Sequence, residues 1–98
     1  MIDKNSTIHK RAKIGKNVKI GPYCVIEENV EINDNCELIA SVHISGNTSI
    51  GKNNKFFPFC SIGSAPQDLK YKNELTYLII GDNNTFRECV TVSPGTAG

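Results

Sequence analysis

Three polar side chains with complementary chemistry lie close together in the second half of the chain. Gln67, Asp68 and Lys70 place an amide, a carboxylate and an ammonium group within four residues. A carboxylate accepts hydrogen bonds from hydroxyl groups, an amide both donates and accepts, and a lysine can approach a phosphate. The trio therefore suits a polar, hydroxyl-rich ligand. The alternative, that Asp68 and Lys70 are ordinary surface charges, stays open on spacing alone.

The histidines and cysteines do not indicate catalysis or metal binding. His9 and His43 are expected at the surface, and neither is assigned a catalytic role. Cys89 is expected to point outward and the other three cysteines inward, as free thiols: Cys24, Cys36 and Cys60. No two cysteines have C-x-x-C spacing, and two histidines cannot form a three-histidine zinc site. We expect no metal and no cofactor.

The elements that must position these residues repeat every six residues. Thirteen bulky residues share one phase: Ile8, Ile14, Ile20, Ile26, Ile32, Leu38, Ile44, Ile50, Phe56, Ile62, Ile80, Phe86 and Val92. A period of six fits neither a helix nor a simple alternating strand, so the hexad itself is the structural unit. We call the bulky residue position one.

The other positions of the hexad predict a corner after each short extended segment. Position five is small or modest in size, position two is often Gly and position four is often Asn. Because Asn and Gly tolerate positive φ best, we expect corners near the left-handed region. Three segments then close one triangular coil, and stacked coils pair their strands in parallel. Residues eighteen apart should form interior ladders: Ile8, Ile26, Ile44 and Ile62.

This all-β arrangement has one interruption. Hexad counting would bury Asp68 and Glu74, and an unpaired buried carboxylate is very costly. We therefore predict one domain, residues 1–98, with a twelve-residue insertion at 64–75, an interruption over about 64–79, and a restart at Ile80. The alternative, an antiparallel sandwich, would need turn signals every eight to twelve residues.

Composition excludes several classes of protein. The net charge of +1 argues against a nucleic-acid partner. No segment has the length of a membrane span or the continuous apolar run of a secretion signal, so we expect a soluble, cytoplasmic protein. Basic residues before Ile20 precede an acidic stretch, residues 27–37, which we interpret as solvated faces of neighbouring coils. A docking patch for an acidic protein is the alternative.

Several segments together resemble the UDP-N-acetylglucosamine acyltransferases that begin lipid A synthesis. They are the hexads, Gln67-Asp68-Leu69-Lys70-Tyr71, Ile80-Gly81-Asp82-Asn83-Asn84, and Arg87-Glu88-Cys89-Val90-Thr91-Val92 followed by Pro94-Gly95-Thr96. The resemblance covers essentially the whole chain. It implies a left-handed parallel β-helix with one extruded loop, and a homotrimer with active sites between subunits.

The resemblance also implies a reaction. A hydroxyacyl group passes from acyl carrier protein to the 3-hydroxyl of UDP-N-acetylglucosamine, and Gln67, Asp68 and Lys70 contact the nucleotide sugar. The histidine that serves as base in the family is expected beyond Gly98, as is the C-terminal helical domain, so this fragment alone should be inactive. Two alternatives remain: another hexapeptide-repeat acyltransferase, or a non-catalytic β-helix for binding or assembly.

Overall fold

A computed structural model of the chain describes residues 1–63 and 77–93. Within these ranges the chain forms thirteen short β-strands and no helix. No helix in this part of the chain could therefore cross a membrane. The strands are β1 (Thr7–Ile8), β2 (Lys13–Ile14), β3 (Lys19–Ile20), β4 (Val25–Ile26), β5 (Val30–Ile32), β6 (Glu37–Leu38), β7 (His43–Ile44), β8 (Asn47–Ile50), β9 (Lys55–Phe56), β10 (Ser61–Ile62), β11 (Tyr77–Ile80), β12 (Thr85–Phe86) and β13 (Thr91–Val92).

The strands form three parallel sheets, one on each side of a triangular coil. Sheet A has the order β12-β9-β6-β3, sheet B β1-β4-β7-β10-β13, and sheet C β11-β8-β5-β2. Each strand therefore pairs with the strand one coil away, three elements along the chain, as a parallel β-helix requires. An isolated parallel bridge between Ile2 and Ile20 extends sheet A beyond β3, toward the N-terminal end of the stacked coils.

The predicted interior ladders are confirmed. Ile8 pairs in register with Ile26, Ile26 with Ile44, and Ile44 with Ile62. Most position-one residues in the middle coils are 0–2% exposed. Phe56 and Phe86 stack with ring centroids 4.8 Å apart and an interplanar angle of 6°. The interior is thus built from side chains stacked along the axis at the spacing of parallel strands.

The register also confirms the insertion. Ile62 pairs with Val92 and Phe56 with Phe86, so the offset of eighteen grows to thirty across the interruption, an increase of twelve. The return is earlier than predicted, because β11 begins at Tyr77 instead of Ile80. The reason is backbone pairing: all four residues of β11 are in register with β8, although only Ile80 of the four is buried.

The corners confirm the left-handed conformation at position four, but not its restriction to Asn. Asn17, Asn35, Asn53 and Asn83 have φ between 58° and 64°, whereas Asn29 and Asn47 are absent from the positive-φ residues. The same conformation occurs at four residues of other types: Tyr23, Ser41, Phe59 and Cys89. All four lie at the corner between sheets A and B. The backbone therefore sets the conformation there regardless of residue type.

The prediction that position-two glycines supply positive φ is wrong for most of them. Among the described position-two glycines only Gly63 has positive φ. A Cβ on Gly21 would instead collide with the carbonyl oxygen of Ile39 in the next coil, and one on Gly15 with the Asp34 side chain. These glycines permit close approach between coils.

The outer faces carry the segregated charges as expected. Lys13 lies beside Glu31 in register, and Lys19 beside Glu37, which in turn lies beside Lys55. Because one coil is eighteen residues, a basic stretch followed by an acidic one places opposite charges on neighbouring rungs. Such exposed pairs each contribute little, about 0–1 kcal/mol.

Candidate functional site

The point where the chain leaves the coil is tightly packed. Gly63 is buried, with φ of 83°, and a Cβ there would collide with the Ser45 carbonyl and the Thr48 hydroxyl. Gly46 has φ of 73°, and a Cβ added to it would lie 2.7 Å from the Gly63 carbonyl oxygen. The Thr48 hydroxyl donates to the Ser45 carbonyl oxygen at 2.7 Å. Gly63, the last described residue before the insertion, is therefore held by packing between the coils.

A groove of about 380 Å³ runs along the outer side of sheet C, next to the residue where the chain returns. Tyr77 and Ile79 in β11 form its upper part and are 64% and 80% exposed. The lower part is mostly polar and is lined by Arg11, Lys13, Glu28, Asn29, Glu31, Asn47 and Ser49. The groove combines apolar side chains at one end with hydrogen-bonding groups at the other, a combination typical of ligand sites.

The groove holds charges of both signs. Arg11 Nη1 lies 3.5 Å from Glu28 Oε2, with both side chains largely exposed. Lys13 is the register partner of Glu31. These groups can bind hydroxyls and amides, but their charges offset each other, so the groove has no concentrated positive charge for a phosphate. A phosphate would need a further cation, such as the one predicted at Lys70.

The insertion residues Gln67, Asp68 and Lys70 lie outside the described residues. Gly63 and Tyr77, which flank the insertion, are described, and Tyr77 lines the groove. The assignment of the three residues to ligand binding therefore stays a prediction. Sequence reasoning did not find the groove, because most of its lining residues are ordinary outward positions of hexads.

The two histidines are surface residues, as predicted. His9 Nδ1 accepts a hydrogen bond from the backbone N–H of Arg11 at 3.1 Å. His43 Nε2 lies 2.6 Å from Glu27 Oε2, and both side chains are about half exposed. Neither imidazole lines the groove. In the described residues no histidine is placed to remove a proton from a ligand bound there.

The surroundings of the three buried cysteines disfavour thiol reactivity. Cys24, Cys36 and Cys60 are buried and free, and Cys89 is exposed, as predicted. Burial raises the pKa of each of the three buried thiols above its ordinary value. The thiolate, which is the nucleophile and the metal ligand, is therefore suppressed. Nor do residues 1–63 and 77–93 contain a group of three or more potential metal ligands.

One buried polar residue was missed from the sequence. Asn54 is 1% exposed at position five, where the pattern predicts a small apolar side chain. Its amide nitrogen donates to the carbonyl oxygens of Gly51 and Gly81, and its amide oxygen accepts from the backbone N–H of Asn84. The repeat could have indicated this residue, because Asn84 occupies the same position five in the hexad one coil higher. Asn54 joins the third and fourth coils and has a structural role.

Known proteins match the chain in sequence and structure. The profile of the bacterial transferase hexapeptide family (six repeats) matches residues 1–28 and 11–38. The acyl-[acyl-carrier-protein]–UDP-N-acetylglucosamine O-acyltransferase of Rickettsia canadensis is 54% identical over 96% of this chain and 38% of its own length.

Solved structures give the same result. The UDP-N-acetylglucosamine acyltransferase from Bacteroides fragilis superposes with a TM-score of 0.95 at 47% identity, over 99% of this chain and 38% of that one. The Francisella novicida enzyme gives 0.94 at 47% identity, over 99% and 36%. The chain thus spans under two fifths of these relatives. By sequence and by its left-handed parallel β-helix, the chain is similar to the N-terminal part of the UDP-N-acetylglucosamine O-acyltransferases.

Proposed function

We propose that the chain is the N-terminal part of an enzyme that transfers a hydroxyacyl group from acyl carrier protein to the 3-hydroxyl of UDP-N-acetylglucosamine, the first step of lipid A synthesis. The observation that carries the proposal is the identity of 54% across 96% of the chain to an acyltransferase named for these two substrates. That match extends through the insertion instead of stopping at the hexads, which many transferases share.

The role of this part of the enzyme is to bind the nucleotide sugar. In our proposal Asp68 accepts hydrogen bonds from sugar hydroxyls, Gln67 donates and accepts, and Lys70 approaches the diphosphate. The groove beside Tyr77 gives hydrogen-bonding groups close to the point where the insertion rejoins the coil. Its lack of excess positive charge is the reason that Lys70 is needed.

The chemical step needs a base that the described residues do not place at the groove. In the transfer, the sugar 3-hydroxyl oxygen attacks the thioester carbonyl carbon, the new C–O bond forms, and the C–S bond breaks. The hydroxyl proton passes to a base and then to the leaving thiol of the carrier. An imidazole of ordinary pKa suits this task. We assign it to the part of the enzyme beyond Gly98, so residues 1–98 position the substrate.

The assembly and location follow from the same proposal. We propose a cytoplasmic homotrimer that takes its acyl group from acyl carrier protein and uses no cofactor.

The test compares Asp68→Asn with the unchanged sequence in the longer enzyme. We expect KM for UDP-N-acetylglucosamine to rise at least tenfold, since a charged hydrogen-bond acceptor is lost, with an unchanged circular dichroism spectrum and melting temperature. Lys72→Gln, a charge change in the same insertion, is the control and should keep KM within twofold. Equal KM values for Asp68→Asn and the parent would remove Asp68 from the site.

Acceptor choice separates the remaining alternatives. Turnover of another sugar or of serine in preference to UDP-N-acetylglucosamine would indicate another hexapeptide-repeat acyltransferase. A longer protein that turns over none of these acceptors would favour a non-catalytic β-helix.

A further inference from the structure

We propose that residues 45–48 hold both ends of the insertion and thereby set the position of the nucleotide-sugar site, with Thr48 as a positioning residue. We call these four residues, Ser45-Gly46-Asn47-Thr48, the clamp segment. The segment lies in the coil below the insertion, at the corner between sheets B and C. The inference deepens the proposed function and rests on it, because it assigns a role in substrate binding to Thr48, which does not itself contact the substrate.

The first contact of the clamp segment is with the residue at which the chain leaves the coil. The Ser45 N–H donates to the carbonyl oxygen of Ile62 at 2.9 Å. The Ser45 carbonyl oxygen and the Thr48 hydroxyl occupy the space that a Cβ on Gly63 would need. From the next coil, the Val92 carbonyl oxygen accepts a hydrogen bond from the Gly63 N–H at 2.6 Å. Gly63 is therefore enclosed between the clamp segment and the coil above.

The second contact is with the strand by which the chain returns. Tyr77 and Leu78 begin β11 and lie in register with Asn47 and Thr48. This pairing of β11 with β8 covers four residues, whereas the other strand pairs of the described chain cover two or three. Parallel pairing fixes the distance between neighbouring strands. One short segment thus determines both where the chain leaves the coil and where it returns.

The clamp segment departs from the repeat at two positions. At hexad position three, Gly46 has φ of 73°, where the two lower coils have charged residues without positive φ. At position five, Thr48 is polar, where the two lower coils have apolar residues. The replaced residues are Lys10 and Glu28 at position three, and Ala12 and Val30 at position five. The two lower coils close this corner without Gly or Thr, so the departure indicates a requirement specific to the coil beneath the insertion.

Thr48 acts through the backbone around it. Its side chain is buried, with 2% of the residue exposed, so the hydroxyl is not available to a ligand in the groove. The hydroxyl donates to the Ser45 carbonyl oxygen at 2.7 Å and packs against Gly63. Removing it takes a donor from the Ser45 carbonyl oxygen and loosens the corner next to the exit of the insertion.

Thr48→Val in the longer enzyme tests this role. The substitution keeps the shape of the side chain and removes the hydroxyl, so we expect KM for UDP-N-acetylglucosamine to rise about fivefold, the effect of one neutral hydrogen bond. We expect kcat and KM for the acyl carrier protein to stay within about twofold of the parent, because only the nucleotide-sugar site is displaced. Thr48→Ser keeps the hydroxyl and should have the KM of the parent within about twofold.

Val30→Ala is the matched control for lost stability. Val30 occupies the same hexad position one coil lower, is 1% exposed and lies in register with Thr48. Its truncation leaves a cavity and should lower the melting temperature at least as much as Thr48→Val. Because Val30 is one coil farther from Gly63, KM for UDP-N-acetylglucosamine should not change. The same KM increase in Val30→Ala would show that general loosening of the coils moves the site.

Hydrogen exchange followed by mass spectrometry examines the clamp segment without the reaction. In Thr48→Val we expect the backbone amides of residues 61–63 and 77–80 to exchange about fivefold faster than in the parent, since local opening there becomes easier. The amides of β3 and β6 in the same variant are the internal reference and should keep the parent rate. Gly46→Ala, which brings a Cβ against the Gly63 carbonyl oxygen, is a second variant and should give the same pattern.

Three further results would overturn the inference. They are an unchanged KM in Thr48→Val, a raised KM in Thr48→Ser, and exchange that is accelerated equally at β3, at β6 and at both ends of the insertion. Failure of the proposed function has a different signature. In that case the parent enzyme does not use UDP-N-acetylglucosamine, or Asp68→Asn leaves its KM unchanged, while the exchange pattern still reports on the clamp segment.

Discussion

The corner between sheets C and A and the corner between sheets A and B adopt the same backbone conformation with different residues. Both turn through positive φ at position four, but one uses Asn17, Asn35 and Asn53 and the other uses Tyr23 and Phe59 among others. Asn satisfies the turn because its short polar side chain tolerates the left-handed region. Tyr23 and Phe59 tolerate this conformation less well than Asn does, although Asn is common at position four of the repeat. The comparison therefore shows that the fold does not by itself require Asn at this position.

The most severe way to break both corners is to disrupt the interior they share. Ile44→Asp buries an unpaired carboxylate between Ile26 and Ile62, at a cost comparable to the total stability of a small domain, about 5–15 kcal/mol. We expect the variant to be unfolded by circular dichroism. Thr85→Asp makes a similar change at an exposed position of sheet A and should leave the fold intact. A native spectrum for Ile44→Asp would show that the phase of the repeat is wrong.

The next largest effect tests whether a glycine is needed for close packing between coils or for its backbone freedom. Gly21→Ala, in the corner between sheets A and B, would force a Cβ into the carbonyl of Ile39, so we expect a loss of about 3 kcal/mol in the free energy of unfolding. Gly81→Ala, at the same hexad position in the other corner, meets nothing within 4 Å and should be neutral or slightly stabilising. Urea denaturation measures both. Equal losses would mean that the two coils are not packed as described.

A smaller effect compares the two corners directly, by exchanging their residues. Phe59→Asn relieves a strained conformation and gives up little buried area, so the monomer should gain about 1 kcal/mol of stability. Asn53→Phe makes the reverse change at φ of 61° and should lose about the same amount. Denaturation at low micromolar concentration keeps association out of the measurement. Destabilisation by Phe59→Asn would mean that the aromatic ring contributes to the fold itself.

The smallest effect is a pH dependence from the buried thiols. Because burial raises the pKa of Cys24 in the folded state, its contribution to stability is fully present below the ordinary thiol pKa of about 8.5. It is lost as the pH rises through the raised value, by less than about 1 kcal/mol per thiol at pH 9. Melting temperatures between pH 7.5 and 9.5 should fall less steeply in Cys24→Ala than in the parent. Parallel curves would contradict this.

Much of the fold could be predicted because interior positions obey one strict rule. Ile8, Ile26, Ile44 and Ile62 must be buried whatever surrounds them, so their spacing predicted the register and the size of the insertion. The corners could not be predicted as well, because several residue types can occupy a turn when the adjoining ladders fix its backbone. Tyr23 and Cys89 show this for the turn residues. The glycines could not be predicted either, because they are needed for contact between coils that are distant in sequence.

The site was the least predictable part. Gln67, Asp68 and Lys70 stay a prediction from their chemistry and lie outside the described residues, whereas the groove on sheet C arises mostly from outward residues of four different coils. No single stretch of sequence contains it. Asn54 was missed for a related reason, since its hydrogen bonds depend on carbonyl groups from two coils.

Equivalent hexad positions stay paired across the insertion, although the sequence offset between them changes there. Each added coil advances the chain along the axis by the spacing of neighbouring parallel strands, about 4.8 Å, and returns every face to the same direction. A loop extruded between coils can therefore lengthen or shorten without rotating what lies above it. Lineages of such proteins can shift the height of a binding surface in fixed steps, by gaining or losing eighteen residues, while the outline presented to neighbours stays unchanged.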